Sequence, residues 1–232
     1  MRKKQAMKDM SGDFPGLIFP DDEVLRNAKG KWQEFFEEKN PLWLELGPGR
    51  GKYLIELAKK HPERNFVGLD VKIDRLVQIA LKVKAKALTN IVLAPVNYRW
   101  LDKYFENGEL SGAIVNFPEP RIKAKQSAWR FSHPENLEQL VKTIGLGGEL
   151  WFKTDDPLFF EWSYPFLQEV LDIEYETRDL SHTTFYENEP KTEYEERWVR
   201  EGKLFASLKG KVKKLTIETP IGEKTWKTRL HY

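Results

Sequence analysis

The chain has 232 residues, of which 40% are hydrophobic and 32% charged, and its formal net charge is +2. That composition fits one globular α/β domain with appendages, and the charge balance by itself selects no partner. The absence of cysteine excludes disulfides, thiolate catalysis and Cys-based zinc or iron–sulfur sites, and it fits a cytoplasmic location. His61, His133, His182 and His231 are too scattered for metal-ligand spacing, so no metal is expected. No apolar run approaches the ~20 residues of a membrane span. The opening MRKKQAMKDMSGDFPG has no apolar core behind its charges, so it does not read as a secretory signal.

Residues 1–39 read as a polar arm followed by one or two helices in DEVLRNAKGKWQEFFEEK (22–39), where apolar residues recur at helical spacing. From Pro41 a regular alternation begins. LWLEL (42–46) is a strand, RGKYLIELAKKH (50–61) a helix, NFVGLD a strand and DRLVQIALKVKAKAL an amphipathic helix. NIVLAPV, GAIVNF and GGELWFKT continue as strands, separated by helices in YRWLDKYF and PENLEQLVKTI and followed by one in PLFFEWSYPFLQEVL. Short loops between such elements mean βαβ units and a largely parallel sheet covered on both faces. After Leu171 the rhythm changes, and IEYETRDL, ERWVRE and KLFASLKG read as strands that give the sheet an antiparallel end. KKLTIETPIGEKTWKTRLHY alternates around PIGEK and predicts a C-terminal β-hairpin over 211–232, beyond a main domain spanning 40–210.

The first strand runs into LELGPGRG. Gly47, Gly49 and Gly51 let the backbone bend sharply and come close to a ligand, and Asp70 ends the next strand, where a carboxylate can accept from two ribose hydroxyls. A dinucleotide site would read G-x-G-x-x-G and close on a pyrophosphate. Here the turn is G-P-G-R-G, and Glu45 lies two residues before it. That acid repels a pyrophosphate but suits an amino-bearing cation such as S-adenosylmethionine, with a dinucleotide site and a bare structural turn as the alternatives. Asn97, after the third strand, offers an amide that can pair with an adenine edge; an Asn in that place is also an ordinary turn residue.

In AIVNFPEPRIKAK (113–125) a buried strand ends in Asn116-Phe117, and a carboxylate, Glu119, follows between Pro118 and Pro120. Proline fixes its own φ and pushes the preceding residue toward extended geometry, so the acid is expected on a rigid loop. Basic clusters lie at 82–88, 121–125 and 209–214. Each alone is a solvated face, but with Trp129 and Arg130 they suit a surface that meets nucleic-acid phosphates.

With WLELGPGRG, VGLD, NFPEPRIKAK, KTD and KTEYEERW in this order, residues 40–208 or so resemble the bacterial tRNA (guanine-N7)-methyltransferase family. The resemblance implies a Rossmann-like class I methyltransferase fold, doubly wound, with a seven-stranded sheet that is mostly parallel and contains an antiparallel strand. It also implies S-adenosylmethionine as cofactor and methylation of guanine N7 in the tRNA variable loop. Carried over by position, cofactor contacts fall on Glu45, Gly47, Gly49, Asp70 and Asn97, the active-site acid on Glu119, and substrate contacts on Lys123, Asp155, Thr192, Glu193, Tyr194 and Glu195.

The chain also departs from the family pattern. Glutamate stands at 119 where the family has aspartate, Arg121 replaces a tryptophan, Asn97 an aspartate, and KAKQSAWRF thins a dense basic run. Two alternatives follow: a methyltransferase acting on another RNA, a protein or a small molecule, and a non-catalytic RNA-binding relative. The oligomeric state, monomer or homodimer, is open at this level.

Overall fold

The computed structural model describes residues 13–221, apart from 15 and 20. Seven strands form one sheet in the order β3-β2-β1-β4-β5-β7-β6. They are β1 (Leu42–Leu46), β2 (Asn65–Leu69), β3 (Ile91–Ala94), β4 (Gly112–Asn116), β5 (Glu149–Thr154), β6 (Leu171–Thr177) and β7 (Ala206–Val212). β1 to β5 are parallel, and β7 inserts antiparallel between β5 and β6. The helices are α1 (Asp22–Asn27), α2 (Lys52–Lys60), α3 (Ile73–Ala85), α4 (Pro134–Ile144), α5 (Pro157–Val170), α6 (Thr184–Asn188) and α7 (Glu193–Arg200).

Every residue of β1, β2, β3 and β4 is buried, as a sheet covered on both faces requires. Each face has its own core. Leu42, Leu44, Leu46, Val115 and Phe152 pack with α4, α5 and the segment around Trp32, while Trp43, Phe66 and Leu93 pack with α2 and α3. Since strand side chains alternate, Glu45 shares the face of Trp43 and lies under α2. The segment before β1 belongs to the same cores: Trp32 is fully buried, its indole donates to the Tyr104 carbonyl at 2.7 Å, and Ile18 bridges to Leu93.

Two expectations change after Leu171. ERWVRE is not a strand: its first five residues lie within α7 and Glu201 is the C-cap. Thr192 caps α7, its hydroxyl accepting from the Glu195 amide while the Glu195 carboxylate accepts from the Thr192 amide. This capping box outweighs the weak strand preference of Trp198 and Val199. The first arm of the expected hairpin, 213–221, forms no strand. Glu169 on α5 accepts from the amides of Glu218 and Thr219 and from the Lys214 ammonium, and Glu138 on α4 accepts from the Ile217 amide. Donors that a hairpin ladder would use are therefore bound to carboxylates. The rest of that predicted hairpin, 222–232, lies outside the described residues.

Gly51 is demanded twice over. Its φ is +77°, and a β-carbon there would stand 2.7 Å from Ile79 of α3. Gly51→Ala is expected to lower stability by about 1–3 kcal/mol through strain and overpacking, read as a shift in the denaturation midpoint with an unchanged slope.

Candidate active site

β1 pairs with β2 on one side and with β4 on the other, so the order of the parallel strands reverses between β1 and β4. Ligands of open α/β sheets bind in the crevice at the carboxyl ends of such strands. The glycine turn opens there, with Gly47 at φ +68° and Gly49 at +59°. The Gly47 amide donates to the Leu69 carbonyl at 2.8 Å, which ties the turn to β2. Unlike Gly51, a β-carbon at Gly47 or Gly49 would meet no described atom within 4 Å. The same three-glycine run thus does two jobs: Gly51 packs a helix, while Gly47 and Gly49 keep a bare backbone facing the crevice.

Beneath the turn lies a buried polar chamber. Glu45 is 1% exposed and one of its oxygens accepts from the Asn116 amide at 3.0 Å. Glu45 Oε2, Asn116 Oδ1 and the Tyr53 hydroxyl have no hydrogen-bond partner among the described residues. Asn116 pairs in register with Lys153 of β5, whose ammonium reaches Glu195 of α7 at 2.9 Å and lies 4.8 Å from the centre of the Tyr53 ring. Burial pushes the Glu45 carboxyl up to about 8, against the opposing pull of Asn116 and Lys153. Orphaned buried acceptors are rare and need a donor. Two of them beside a bare glycine turn fit an ammonium-bearing ligand such as S-adenosylmethionine.

Asp70 sits at the end of β2, nearly buried. One oxygen accepts from the Lys72 amide at 2.9 Å, and the other pairs with Arg75 at 3.1 Å, which orients the carboxylate. Asn97 is half-buried, and its side-chain oxygen caps the following 3₁₀ turn by accepting from the Arg99 amide at 3.1 Å. The turn role weighed for Asn97 is therefore present, and it fixes the side chain by its oxygen.

The Glu119 loop is built differently from expectation. Phe117, which precedes Pro118, is not extended but left-handed at φ +49°, and Arg121 has the same value. A left-handed bulky residue costs about 1–3 kcal/mol, which the surroundings must offset. The Phe117 amide donates to the Lys153 carbonyl at 2.8 Å, and its ring packs edge-on against Trp198 and Phe205. On the far side, the Arg130 guanidinium donates to the carbonyls of Pro120 and Arg121 at 3.0 and 2.9 Å and lies 4.2 Å from the centre of the Trp162 ring. Arg130 is 1% exposed, so it braces the loop from inside and does not meet phosphates as the basic-cluster reading expected. Glu119 itself is exposed and pairs with Arg121 at 2.9 Å. Lys123 is exposed behind it.

Of the two acids in TDD, the structure distinguishes their work. Asp156 caps α5, accepting from the Phe159 amide at 2.9 Å, while Asp155 is exposed at the end of β5 with its carboxyl raised by partial desolvation and by neighbouring Asp156. Thr192 and Glu195 are buried in the capping box, and Glu195 uses one oxygen on Lys153 and the other on the Thr192 amide. With one bond to each oxygen, Glu195 holds the segment in place. Glu193 is half-buried and Tyr194 is 52% exposed. Glu196 pairs with Lys52, and Lys60 donates to the Asn188 carbonyl at 2.6 Å, so α6 and α7 are fastened to the helix that follows the glycine turn.

The reading from sequence passed over Asn116, Lys153 and Tyr53. The signals were there: Lys153 is a cation inside the buried strand WFKT, and T-x-x-E is a capping-box spacing. Each needs a partner that only the fold supplies.

A family model described as a putative methyltransferase matches residues 39–208. The tRNA (guanine-N(7)-)-methyltransferase of Clostridium tetani (strain Massachusetts / E88) is 37% identical over 189 residues, covering 81% of this chain and 89% of that protein. That of Geobacillus sp. (strain WCH70) is 33% identical over 203 residues, covering 87% and 90%. Among solved structures, the 16S rRNA methyltransferase KamB superposes with a TM-score of 0.57 at 18% identity, covering 82% of this chain and 91% of that one. An antibiotic-related methyltransferase does so at 0.59 and 15%, covering 84% and 96%. The two structures speak to the fold alone, which they share over most of both chains. With the model match, the relatives' identity and the seven-stranded order taken together, this chain belongs to the tRNA (guanine-N7)-methyltransferase family.

Proposed function

We propose that this protein transfers the methyl group of S-adenosylmethionine to N7 of a guanine in the variable loop of tRNA. One observation supports it above the others: the Asn116–Lys153–Glu195 chain of contacts joins the Glu119 loop and the Thr192–Glu195 segment directly to the buried chamber beside the glycine turn. Cofactor side and substrate side are mechanically one unit. Glu45, Gly47, Gly49, Asp70 and Asn97 hold the cofactor, which supplies an electrophilic sulfonium methyl.

Guanine N7 has a lone pair and no proton, so the attack needs no general base. It needs alignment with the methyl group and compensation for the positive charge that develops on the purine. Glu119 accepts from guanine N1–H and the exocyclic amine, fixing the ring and offsetting that charge. Arg121 must release Glu119 for this, a small cost because the pair is exposed and such pairs contribute about 0–1 kcal/mol. Lys123 holds a phosphate, and Asp155, Glu193 and Tyr194 bound the substrate side, while Thr192 and Glu195 keep that side in place.

tRNA as substrate fits a cytoplasmic protein, and among the described residues no helix is long and apolar enough to cross a membrane. The test is transfer from labelled S-adenosylmethionine to unmodified tRNA, with nucleoside analysis of the product. The expected product is 7-methylguanosine at one variable-loop position. A tRNA left unmethylated by protein that binds the cofactor overturns the reading.

A further inference from the structure

We infer that Glu45 exchanges a proton for the α-ammonium of the cofactor, with Asn116 and Lys153 as the residues that position its carboxylate. This rests on the reading of Glu45 as a cofactor contact.

The chamber's charges do not balance. Glu45 of β1, Glu195 of α7 and Lys153 of β5 are all buried, and Lys153 is committed to Glu195 at 2.9 Å. Lys191, half-buried ahead of α7, also faces Glu195 and Lys153, and Glu189 faces Tyr53, so among the fully buried charges Glu45 remains the odd carboxylate. Glu193, from α7, adds negative potential, and the neutral groups facing the site are Asn116 from β4 and Tyr53 from α2. Asn116 gives Glu45 its one hydrogen bond among the described residues, at 3.0 Å, through the amide nitrogen. That choice turns the amide oxygen into a second acceptor beside Glu45 Oε2, and neither oxygen has a donor among the described residues. Two orphaned acceptors and a surplus negative charge call for one more cation that brings N–H donors. A proton on Glu45 satisfies the charge when no ligand is bound, in keeping with a carboxyl raised by burial to about 8. The cofactor's ammonium satisfies both charge and hydrogen bonding.

The balance is simple: a protonated Glu45 and a charged ligand amine give a carboxylate–ammonium pair and one proton released to solvent. The direction follows from a raised acid. Below about pH 8 the ligand-free site holds the proton, and an α-amino group of ordinary pKa, about 7.7–8.0, is charged at pH 6.5. Binding at that pH therefore expels the proton.

The experiment is calorimetric titration of the full chain at pH 6.5 in two buffers of different ionisation enthalpy. With S-adenosylmethionine, wild type is expected to release about one proton per site. S-adenosylhomocysteine, which keeps the ammonium but lacks the sulfonium, should release the same number. Methylthioadenosine, which has neither group, should release none. Glu45→Gln is expected to bind about 10- to 100-fold more weakly, with no release, since a charged hydrogen bond is lost. Asn116→Ala should weaken binding about fivefold and keep the release.

Wild-type binding with no proton released overturns the exchange, whatever the variants do. Release with S-adenosylmethionine but not with S-adenosylhomocysteine overturns the assignment to the ammonium, as does release with methylthioadenosine. Glu45→Gln binding as tightly as wild type overturns the underlying contact at Glu45, a separate result.

Discussion

Lys153→Met is expected to destabilise the fold by about 3–5 kcal/mol, the cost of leaving a buried carboxylate without its partner. Glu195 is 0% exposed and Lys153 is 3% exposed, so water cannot replace the lost ammonium without opening α7. The methionine chain fills much of the lysine's volume and can still lie against Tyr53, so a cavity contributes little to the loss. Denaturant titration should show the midpoint falling. Adding Glu195→Gln to the same chain should recover a large part of it, because a neutral amide no longer needs a counter-charge. A Lys153→Met midpoint within error of wild type would show that the pair is no strut. The consequence reaches the site: Glu195 also closes the Thr192 capping box, so its displacement loosens the segment that carries Tyr194.

The second large effect concerns rate. Glu119→Ala is expected to lower kcat for methyl transfer to tRNA about 100-fold, the usual scale for removing one charge-stabilising group from a transition state. The Tm should hold, since the side chain is 66% exposed and its pair with Arg121 contributes little. KM for S-adenosylmethionine should also hold, because the Glu45 chamber lies below the loop and does not use Glu119. Glu119→Asp is expected to keep activity within about tenfold: the acid remains, and the loop that aims it is set by other residues. Equal rates for Glu119→Ala and wild type on tRNA would remove Glu119 from the chemistry.

Those other residues show where sequence reasoning reached its limit. Two prolines around Glu119 suggested a rigid loop, and the loop is braced, but the agents are distant. Phe117 and Arg121 are left-handed, against the local preference, because Trp198, Phe205 and the Arg130 guanidinium hold them there. Arg130, one more cation in a basic stretch, is the buried brace. In the same way TDD offers two identical acids in sequence, and only the start of α5 decides that Asp156 caps and Asp155 faces out.

The βα alternation up to Leu171, the glycine turn, Glu45 and Asp70 were legible because their causes are local. Helical and strand periods repeat within one element, and a turn that must bend at φ > 0 advertises itself as glycine. ERWVRE was misread because a short amphipathic stretch fits either period, and its cap lies outside the window. What the sequence determined by itself was the βα alternation, the glycine turn and the acids Glu45 and Asp70 beside it, while the strand order and its switch point came with the fold. The tertiary structure alone decided which buried charges are neutralised. Lys153 meets Glu195 across 42 residues of chain, Asn116 meets Glu45 across 71, and Glu45 keeps one oxygen without a hydrogen-bond partner among the described residues. Burial makes an unpaired charge expensive, and a charge acquires its partner only when distant strands and helices have been brought together.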